Sequence, residues 1–148
     1  MELDKIDKAL ILELQKNSKV GLKELAEKVG LTSTPVHERI KRLEKSGVIE
    51  CYTVRVNQQK LGKGLTVLCN VQIKSHSSTN LEEFEQEIVK LKEVVSCYHI
   101  AGGYDYLLTL RMSDMDEYGN FVKGKLATIP HIAQVQSSFV MRTIIDRD

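Results

Sequence analysis

The first third of the chain contains three short stretches in which apolar residues recur at helical spacing. These residues are Ile6, Leu10 and Leu14; Leu22, Leu25, Ala26 and Val29; and Val36, Ile40 and Leu43. A recurrence every three or four positions is typical of one face of an amphipathic helix. The pattern therefore predicts helices at about 4–16, 22–28 and 34–46, with Gly30 in the turn before the third helix and Gly47 after its end.

The segment after the third predicted helix changes its pattern and then loses it. Val48–Val56 is rich in β-branched residues, which predicts a strand. Asn57–Gly64 is polar, contains two glycines and shows no periodicity, so it predicts a linker. We therefore divide the chain into a first domain at 1–60, a linker at 61–64 and a second domain at 65–148.

The second domain alternates between strand and helix patterns. Alternating or β-rich stretches predict four strands, at 65–73, 94–100, 106–112 and 132–145. A capping box, Thr79-x-x-Glu82, predicts the start of the first helix of this domain, and Asp114 is the predicted N-cap of the second. In the first domain, Asp4 is the predicted N-cap of the first helix. The apolar faces predicted for the two helices of this domain are Leu81, Phe84, Ile88 and Leu91, and Met115, Tyr118, Val122 and Leu126.

The order β-α-β-β-α-β is the split, ferredoxin-like arrangement, an antiparallel sheet with both helices on one face. The fold class is therefore α+β, an N-terminal winged helix-turn-helix followed by a ferredoxin-like domain. The other face of the sheet, with residues such as Leu68 and Leu108, needs a cover that the chain does not supply. We expect a second copy of the chain to cover it, which predicts a homodimer.

Composition excludes several classes of protein. Of 148 residues, 42% are hydrophobic and 28% charged, which is typical of a globular protein. No apolar stretch approaches the ~20 residues of a membrane span. Cys51, Cys69 and Cys97 are odd in number and widely spaced, which argues against disulfides or a zinc site. We expect three buried thiols in a protein of the reducing cytoplasm.

The charge is divided unevenly along the chain, although the net value is only +1. Residues 1–64 carry 13 Lys and Arg against 9 Asp and Glu, whereas residues 65–148 carry 8 against 11. A net charge of +4 in the first part and −3 in the second indicates a part that faces a polyanion and a part with another task.

The strongest local signal is a helix-turn-helix between Leu22 and Leu43. Such a unit needs a small residue where its helices cross, a glycine in the turn and an apolar anchor on the second helix, and Ala26, Gly30 and Val36 meet these needs. The predicted DNA-binding residues lie on the outer face and flanks of the second helix: Ser33, Thr34, His37, Glu38, Arg39, Lys41, Arg42 and Lys45.

These residues divide by the part of DNA that they suit. The first four and Lys41 are placed to reach base edges in a major groove, which admits one helix. The two arginines and Lys45 lie on the flanks and suit phosphate oxygens. Glu38 has two interpretations: it accepts a hydrogen bond from a cytosine amine, or it pairs with Arg42 one helical turn away. Arg39 departs from simple helix-turn-helix units, which often place an apolar residue there.

Several motifs together identify a family. They are Leu3-Asp4-x-x-Asp7, Glu24-Leu25-Ala26-x-x-Val29-Gly30-Leu31, Arg39-Ile40-x-Arg42-Leu43-Glu44, Gly47-Val48-Ile49, Gly102-x-x-Asp105-Tyr106-Leu107-Leu108 and Ser137-Ser138-Phe139-Val140. Through them the chain resembles the leucine-responsive/asparagine (Lrp/AsnC) regulators over nearly its whole length. The resemblance implies a winged helix-turn-helix that binds double-stranded operator DNA and an effector (RAM) domain. It also implies dimers, often assembled into octamers, and an amino-acid effector held between effector domains.

The turn Ala101–Asp105 has two interpretations. By spacing alone it is a tight hairpin in which Asp105 bonds the turn amides. Alternatively, its glycines let a ligand approach the backbone, and its carboxylate binds the ammonium of an amino acid. The resemblance implies the second, with the turn and the last strand lining a cleft. The predicted effector-binding residues are Ala101, Gly102, Gly103, Tyr104, Asp105, Gln134, Gln136 and Ser137.

No enzyme motif appears in the sequence. It lacks a phosphate loop, a Gly-x-Ser-x-Gly elbow and a His-Glu-x-x-His helix, and its four histidines are scattered singly. We therefore predict no catalytic residues, no metal and no cofactor. The preferred hypothesis is a transcription regulator that responds to an amino acid. The alternatives are an effector-blind protein that wraps DNA, and a small metabolic enzyme with a vestigial DNA-binding domain.

Overall fold

The computed structural model describes residues 2–145 and divides the chain into two compact units, Met1–Val56 and Asn57–Asp148. The first unit contains α1 (Lys5–Lys16), α2 (Leu22–Val29) and α3 (Ser33–Lys45). The second contains β1 (Leu65–Ile73), α4 (Ser78–Ile88), β2 (Val94–His99), β3 (Tyr106–Met112), α5 (Met115–Gly124), a 3-10 turn (Leu126–Thr128) and β4 (Ile132–Phe139). No helix described within residues 2–145 is both long enough and apolar enough to cross a membrane.

The first unit confirms the three predicted helices. Their apolar faces meet in one cluster, whose buried members are Leu10, Leu25, Ala26 and Val36. Leu43 is also fully buried, and Ile40 packs at the edge of the cluster. Helical periodicity was sufficient to predict these helices because each of them buries a single stripe of apolar residues.

The ends of these helices are fixed by local hydrogen bonds. Asp4 caps α1 as predicted, since its side chain accepts the N–H of Asp7 at 2.8 Å, and Asp7 accepts the N–H of Asp4 in return. Gly30 and Gly47 follow α2 and α3 with φ of +68° and +74°, in the left-handed region that favours glycine. The Gly30 turn sets the direction in which α3 leaves α2, and the Gly47 turn follows the end of α3.

The predicted strand Val48–Val56 is wrong. Among the described residues of the first unit no strand is formed, and this segment has no regular secondary structure, with Tyr52, Val54 and Val56 exposed. A strand must satisfy its backbone groups on a neighbouring strand, and the regular elements of this unit are all helices. The β-branched composition is therefore present without the partner that pairing requires.

The second unit confirms the β-α-β-β-α-β order. Its four strands form one sheet in the order β2-β3-β1-β4, and all neighbouring pairs are antiparallel. Alternate residues of β1 and β3 pack against both helices on one face. The most deeply buried residues of this core are Val67, Cys69, Val71, Ile73, Phe84, Ile88, Tyr106, Leu108, Leu110, Met112, Phe121 and Leu126.

The uncovered face of the sheet was assigned partly wrongly. Leu108 is fully buried and lies opposite Cys69 in the register of β1 and β3, so it belongs to the helix-covered core. Its neighbour Leu107 points to the other face, where it joins Leu68, and both are half-buried. Two adjacent leucines fit an alternating pattern in either register, and only the pairing with β1 decides between them.

The helices of the second unit differ in detail from the predicted ones. The cap of α4 is Ser77, which accepts the N–H of Asn80, and Thr79 lies inside the first turn. Asp114 caps α5 as predicted, by accepting the N–H of Glu117 at 2.8 Å. On α5 the core position belongs to Phe121, which is buried, whereas the predicted Met115 is exposed.

The final strand ends at Phe139 and not at residue 145. Its partner β1 begins at Leu65, and beyond the Val67–Phe139 pair only the N–H of Val140 still bonds to Thr66. Because β1 begins at Leu65, it offers no backbone to pair with residues 142–145, so the strand does not extend to residue 145.

The polar segment 57–64 is folded into turns within the second unit. The N–H of Lys63 donates to the carbonyl of Gln58 at 2.8 Å, and the Lys63 ammonium donates to Glu117 at 2.5 Å. The end of this segment is thereby held against the start of α5.

The three cysteines do not share one environment, which corrects the prediction that all are buried. Cys69 is buried, Cys97 is half-buried and Cys51 is exposed. Burial raises the pKa of the Cys69 and Cys97 thiols. Only Cys69 matches the prediction. The strand expected around Cys51 does not form, and Cys97 lies on β2, an edge strand of the sheet.

Candidate functional site

The outer face of α3 is a polar surface in the first unit. Val36 and Leu43 are fully buried on the opposite side, which leaves Thr34, His37, Glu38, Lys41 and Lys45 exposed and Ser33 half-buried. Within residues 2–145 neither Lys41 nor Lys45 has an acidic partner. The helix therefore presents ammonium groups whose charge no ion pair offsets.

Arg39 and Arg42 occupy a different environment from those lysines. Arg39 Nη1 donates to Asp4 Oδ2 at 2.6 Å and to Asp7 Oδ1 at 2.7 Å. Arg42 Nη2 donates to both oxygens of Asp7, at 2.9 and 2.8 Å. We call these four residues the arginine–aspartate cluster. Of the two interpretations of Glu38, the pairing with Arg42 is wrong, because Asp7 holds Arg42 instead.

Burial makes this cluster unusual. The Asp7 side chain is 1% exposed, and it also accepts the N–H of Asp4, so both of its oxygens are hydrogen-bonded. The N–H of Asp7 and the Arg39 guanidinium together lower the pKa of Asp4. Asp7 was not predicted as a partner of α3, although the residue lies in one of the motifs that carry the resemblance.

The turn between β2 and β3 is the second predicted site. The N–H of Ile100 donates to the carbonyl of Asp105 at 2.8 Å, which closes the turn. Ala101, Gly102 and Gly103 are exposed, and Gly102 has a φ of +151°, which favours glycine. The backbone of the turn is therefore open to solvent.

Asp105 does not bond the amides of its own turn, so the hairpin interpretation of its side chain is wrong. Its Oδ2 accepts the N–H of Ile73 at 2.7 Å, and its Oδ1 lies 2.8 Å from His76 Nε2. Its own N–H donates to the carbonyl of Val71. The carboxylate thus joins the turn to the end of β1 and to His76, which sequence analysis did not single out.

The last strand divides the remaining predicted residues between two faces. Gln134 and Gln136 lie on the uncovered face, opposite Gln72 and Asn70 of β1. The Tyr104 hydroxyl donates to Gln136 Oε1, which joins the turn to β4.

Ser137 points to the opposite face from these glutamines. It accepts the Tyr118 hydroxyl at 2.7 Å, and its oxygen lies 3.1 Å from Cys69 Sγ. The structure therefore brings Tyr104 and Gln136 together on one side of the sheet and places Ser137 on the other. The alternation of β4 accounts for this, since adjacent residues of a strand face opposite ways.

The histidines are separate from one another, and no group of three or more potential metal ligands occurs within residues 2–145. His131 Nε2 lies 2.7 Å from a Glu83 oxygen, His99 stacks on Tyr106, and His37 is exposed on α3. These three histidines therefore lie in three different environments.

Comparisons with known proteins cover both units. Residues 66–148 match the Lrp/AsnC ligand binding domain, and residues 3–50 match a winged helix-turn-helix DNA-binding domain. The DNA-binding transcriptional activator DecR of Escherichia coli K12 is 37% identical over 142 residues, which is 96% of this chain and 93% of DecR. The proline dehydrogenase transcriptional activator of Rhodobacter capsulatus is 34% identical over 99% of this chain and 95% of its own length.

A solved structure has the same fold as this chain over nearly its whole length. A transcriptional regulator of Neisseria meningitidis in complex with L-Met superposes with a TM-score of 0.94 at 32% identity, covering 98% of this chain and 94% of that one. The helix-turn-helix, the four-stranded sheet and these matches all indicate the same family. The chain belongs to the Lrp/AsnC family of DNA-binding transcriptional regulators.

Proposed function

We propose that this protein controls genes of amino-acid metabolism by binding specific DNA sequences with α3, in response to a small amino acid bound by its second unit. The observation that carries the proposal is the anchored, polar surface of α3. Buried Val36 and Leu43 hold the helix, and the opposite side presents Lys41 and Lys45 without ion-pair partners among residues 2–145. Uncompensated ammonium groups on a rigid helix attract a phosphate backbone.

The residues of α3 have different roles in this proposal. Ser33, Thr34, His37, Glu38 and Lys41 read base edges in the major groove, and Lys45 contacts phosphate. Arg39 and Arg42 lie beside this surface and are already paired with aspartates. Glu38 has no partner among the described ion pairs, which supports its role as an acceptor from a base.

The effector site that we propose lies around the β2–β3 turn. The exposed N–H groups of Ala101, Gly102 and Gly103 bind the carboxylate of the amino acid. Tyr104, Gln136 and Gln134 supply the side-chain hydrogen-bonding groups. Asp105 shapes the turn through Ile73 and offers its remaining lone pairs to the ammonium.

The relatives support an amino acid as the effector. The solved regulators of Neisseria meningitidis and Mycobacterium tuberculosis are complexes with L-methionine. A relative of Klebsiella pneumoniae is named a leucine-responsive regulatory protein. Ser137 is left out of our proposed site because it faces the core.

We propose that the effector acts on assembly. The half-buried Leu68 and Leu107 on the uncovered face of the sheet favour a homodimer, which further contacts assemble into an octamer. An amino acid that binds one arrangement more tightly shifts the population toward it. The shift changes the spacing of the α3 helices, which must match half-sites about 34 Å apart.

Two measurements test the proposal. In the first, the wild-type protein selects duplexes from a random-sequence library, and its affinity for a selected duplex is measured with each of the twenty amino acids. We expect at least one amino acid to change the affinity or the elution volume in gel filtration. If no amino acid changes either quantity, the effector proposal is wrong.

The second measurement addresses α3. Replacing Lys41 and Lys45 together by Ala should weaken binding. The loss of the Lys45 phosphate contact should reduce the slope of log K against log salt by about one, because each phosphate contact contributes roughly 0.9. Lys123→Ala, an exposed lysine of the second unit, is the control and should change neither. Equal affinity for selected and scrambled duplexes would instead favour an architectural protein that wraps DNA.

A further inference from the structure

The arginine–aspartate cluster joins the first helix of the chain to α3. Asp4 and Asp7 belong to the start of α1, and their partners Arg39 and Arg42 lie 32 to 35 residues later for every bond that reaches Asp7. Asp7 is buried, so its carboxylate is shielded from water, and its hydrogen bonds to the arginines are charge-assisted.

The cluster holds α3 at two points. Arg39 and Arg42 are three residues apart and therefore project from the same side of the helix. Both donate to one carboxylate, that of Asp7, which itself belongs to the capping box of α1. Two points held on one side fix the rotation of α3 about its axis, and this rotation decides which side chains face outward.

The cluster also balances charge beside the proposed DNA surface. Two guanidinium groups meet two carboxylates, so four charged groups sum to zero. The arginine side chains are 24% and 49% exposed, and their bonds to the two aspartates use only one terminal nitrogen of each. Without Asp7, the same surface would carry one more net positive charge than it does.

We propose that Asp7 is a positioning residue for DNA recognition: it fixes the rotation of α3 and keeps the charges of Arg39 and Arg42 from non-specific phosphate contact. This inference rests on the proposed DNA-binding function. Its consequence is specificity, because phosphate contacts strengthen binding to every sequence alike whereas base contacts do not.

The test compares Asp7→Asn with Glu13→Gln. Glu13 is also on α1 and also ion-paired, but its partners are Lys16 of α1 and Lys28 of α2, so its ion pairs do not reach α3. The probes are one duplex selected by the wild-type protein and one scrambled duplex of the same composition. For each variant, Kd is measured for both duplexes across a salt series, and folding is checked by circular dichroism.

We expect Asp7→Asn to lower the ratio of specific to scrambled affinity by about tenfold or more, out of a usual ratio of 10³ to 10⁷. We also expect a salt slope on the scrambled duplex that is steeper by about one, from the Arg42 guanidinium that Asp7 holds, since Arg39 keeps its bond to Asp4. Glu13→Gln should keep the wild-type ratio and slope.

A folded Asp7→Asn variant with the wild-type ratio and slope would overturn the proposal, as would an equal loss of both affinities with the slope unchanged. If Asp7→Asn does not fold, Asp4→Asn replaces it, since Asn also caps helices and the Asp4 side chain is 49% exposed. It should show the same changes at smaller size, and a wild-type result would overturn the proposal. A wild-type protein that prefers no duplex would contradict the proposed function itself.

Discussion

The carboxylate of Asp105 accepts the backbone N–H of Ile73 at 2.7 Å, across 32 residues of sequence. Ile73 ends β1 and is almost fully buried, so its amide depends on this side chain for a partner. The turn at the proposed effector site is thereby attached to the central part of the sheet.

Replacing Asp105 by Ala should destabilise the second unit by about 1–3 kcal/mol, the usual cost of leaving a buried donor unsatisfied. Hydrogen exchange should show faster exchange at the Ile73 amide, and urea unfolding should report the loss of stability. The control is Glu82→Ala, an exposed carboxylate of α4. An Ile73 amide that exchanges at the wild-type rate in Asp105→Ala would contradict this role.

Glu117 gives a prediction about pH. The Lys63 ammonium, with the N–H and hydroxyl of Ser113, lowers the pKa of this carboxyl from 4.5 to about 2. Because the folded state favours the ionised form, the stabilisation is present above pH 4.5 and is lost as the pH falls toward 2.

The measurement for Glu117 is urea unfolding of the wild type and Glu117→Gln at several pH values. Glu117→Gln should be less stable than the wild type at pH 6, and the difference should disappear near pH 2. The effect is small, because the Glu117 side chain is partly exposed and solvent screens the ion pair. A difference that stays constant across this pH range would show that ionisation of Glu117 does not contribute.

Tyr104 gives a prediction about the effector. Tyr104→Phe removes the hydroxyl that donates to Gln136, so the turn loses its side-chain hydrogen bond to β4. We expect weaker binding of the amino acid, by about tenfold, the effect of losing roughly one hydrogen bond of 1.4 kcal/mol. Affinity for DNA without an amino acid should not change.

Isothermal titration with the amino acid identified in the effector screen measures the effect of Tyr104→Phe. Tyr52→Phe is the matched control, since the Tyr52 hydroxyl also donates to a side chain, that of Glu44, but lies in the first unit. Equal amino-acid affinity in Tyr104→Phe and the wild type would remove Tyr104 from the proposed site.

The elements of the fold were predictable where apolar residues report burial directly. Val36 and Leu43 on α3 and the alternating side chains of β1 follow the sequence pattern. The sequence pattern gave wrong predictions where strand formation or burial depends on a residue's partner in another part of the chain. Val54 lies in a β-rich segment that has no strand to pair with, and Leu108 faces the core only because of its register with Cys69.

The site residues were likewise predictable where local geometry determines their exposure, and unpredictable where a distant partner determines their contacts. The exposed face of α3 follows from helical geometry and was predicted residue by residue. Asp7 and His76 were missed as contacts because their partners, Arg42 and Asp105, lie 35 and 29 residues away. No local spacing reports such pairs. Ser137 was grouped with the glutamines because proximity in sequence does not tell which face of a strand a side chain occupies.

The most direct test of the central claim is photocrosslinking from α3 to DNA. Benzoylphenylalanine is placed at His37, which is exposed on α3, and in a separate variant at Lys90, which is exposed in the second unit. Each variant is irradiated on a duplex selected by the wild-type protein. We predict a crosslink from position 37 that maps to one position within each half-site, and none from position 90. Retained DNA binding without any crosslink from position 37 would contradict the claim that α3 lies in the DNA groove.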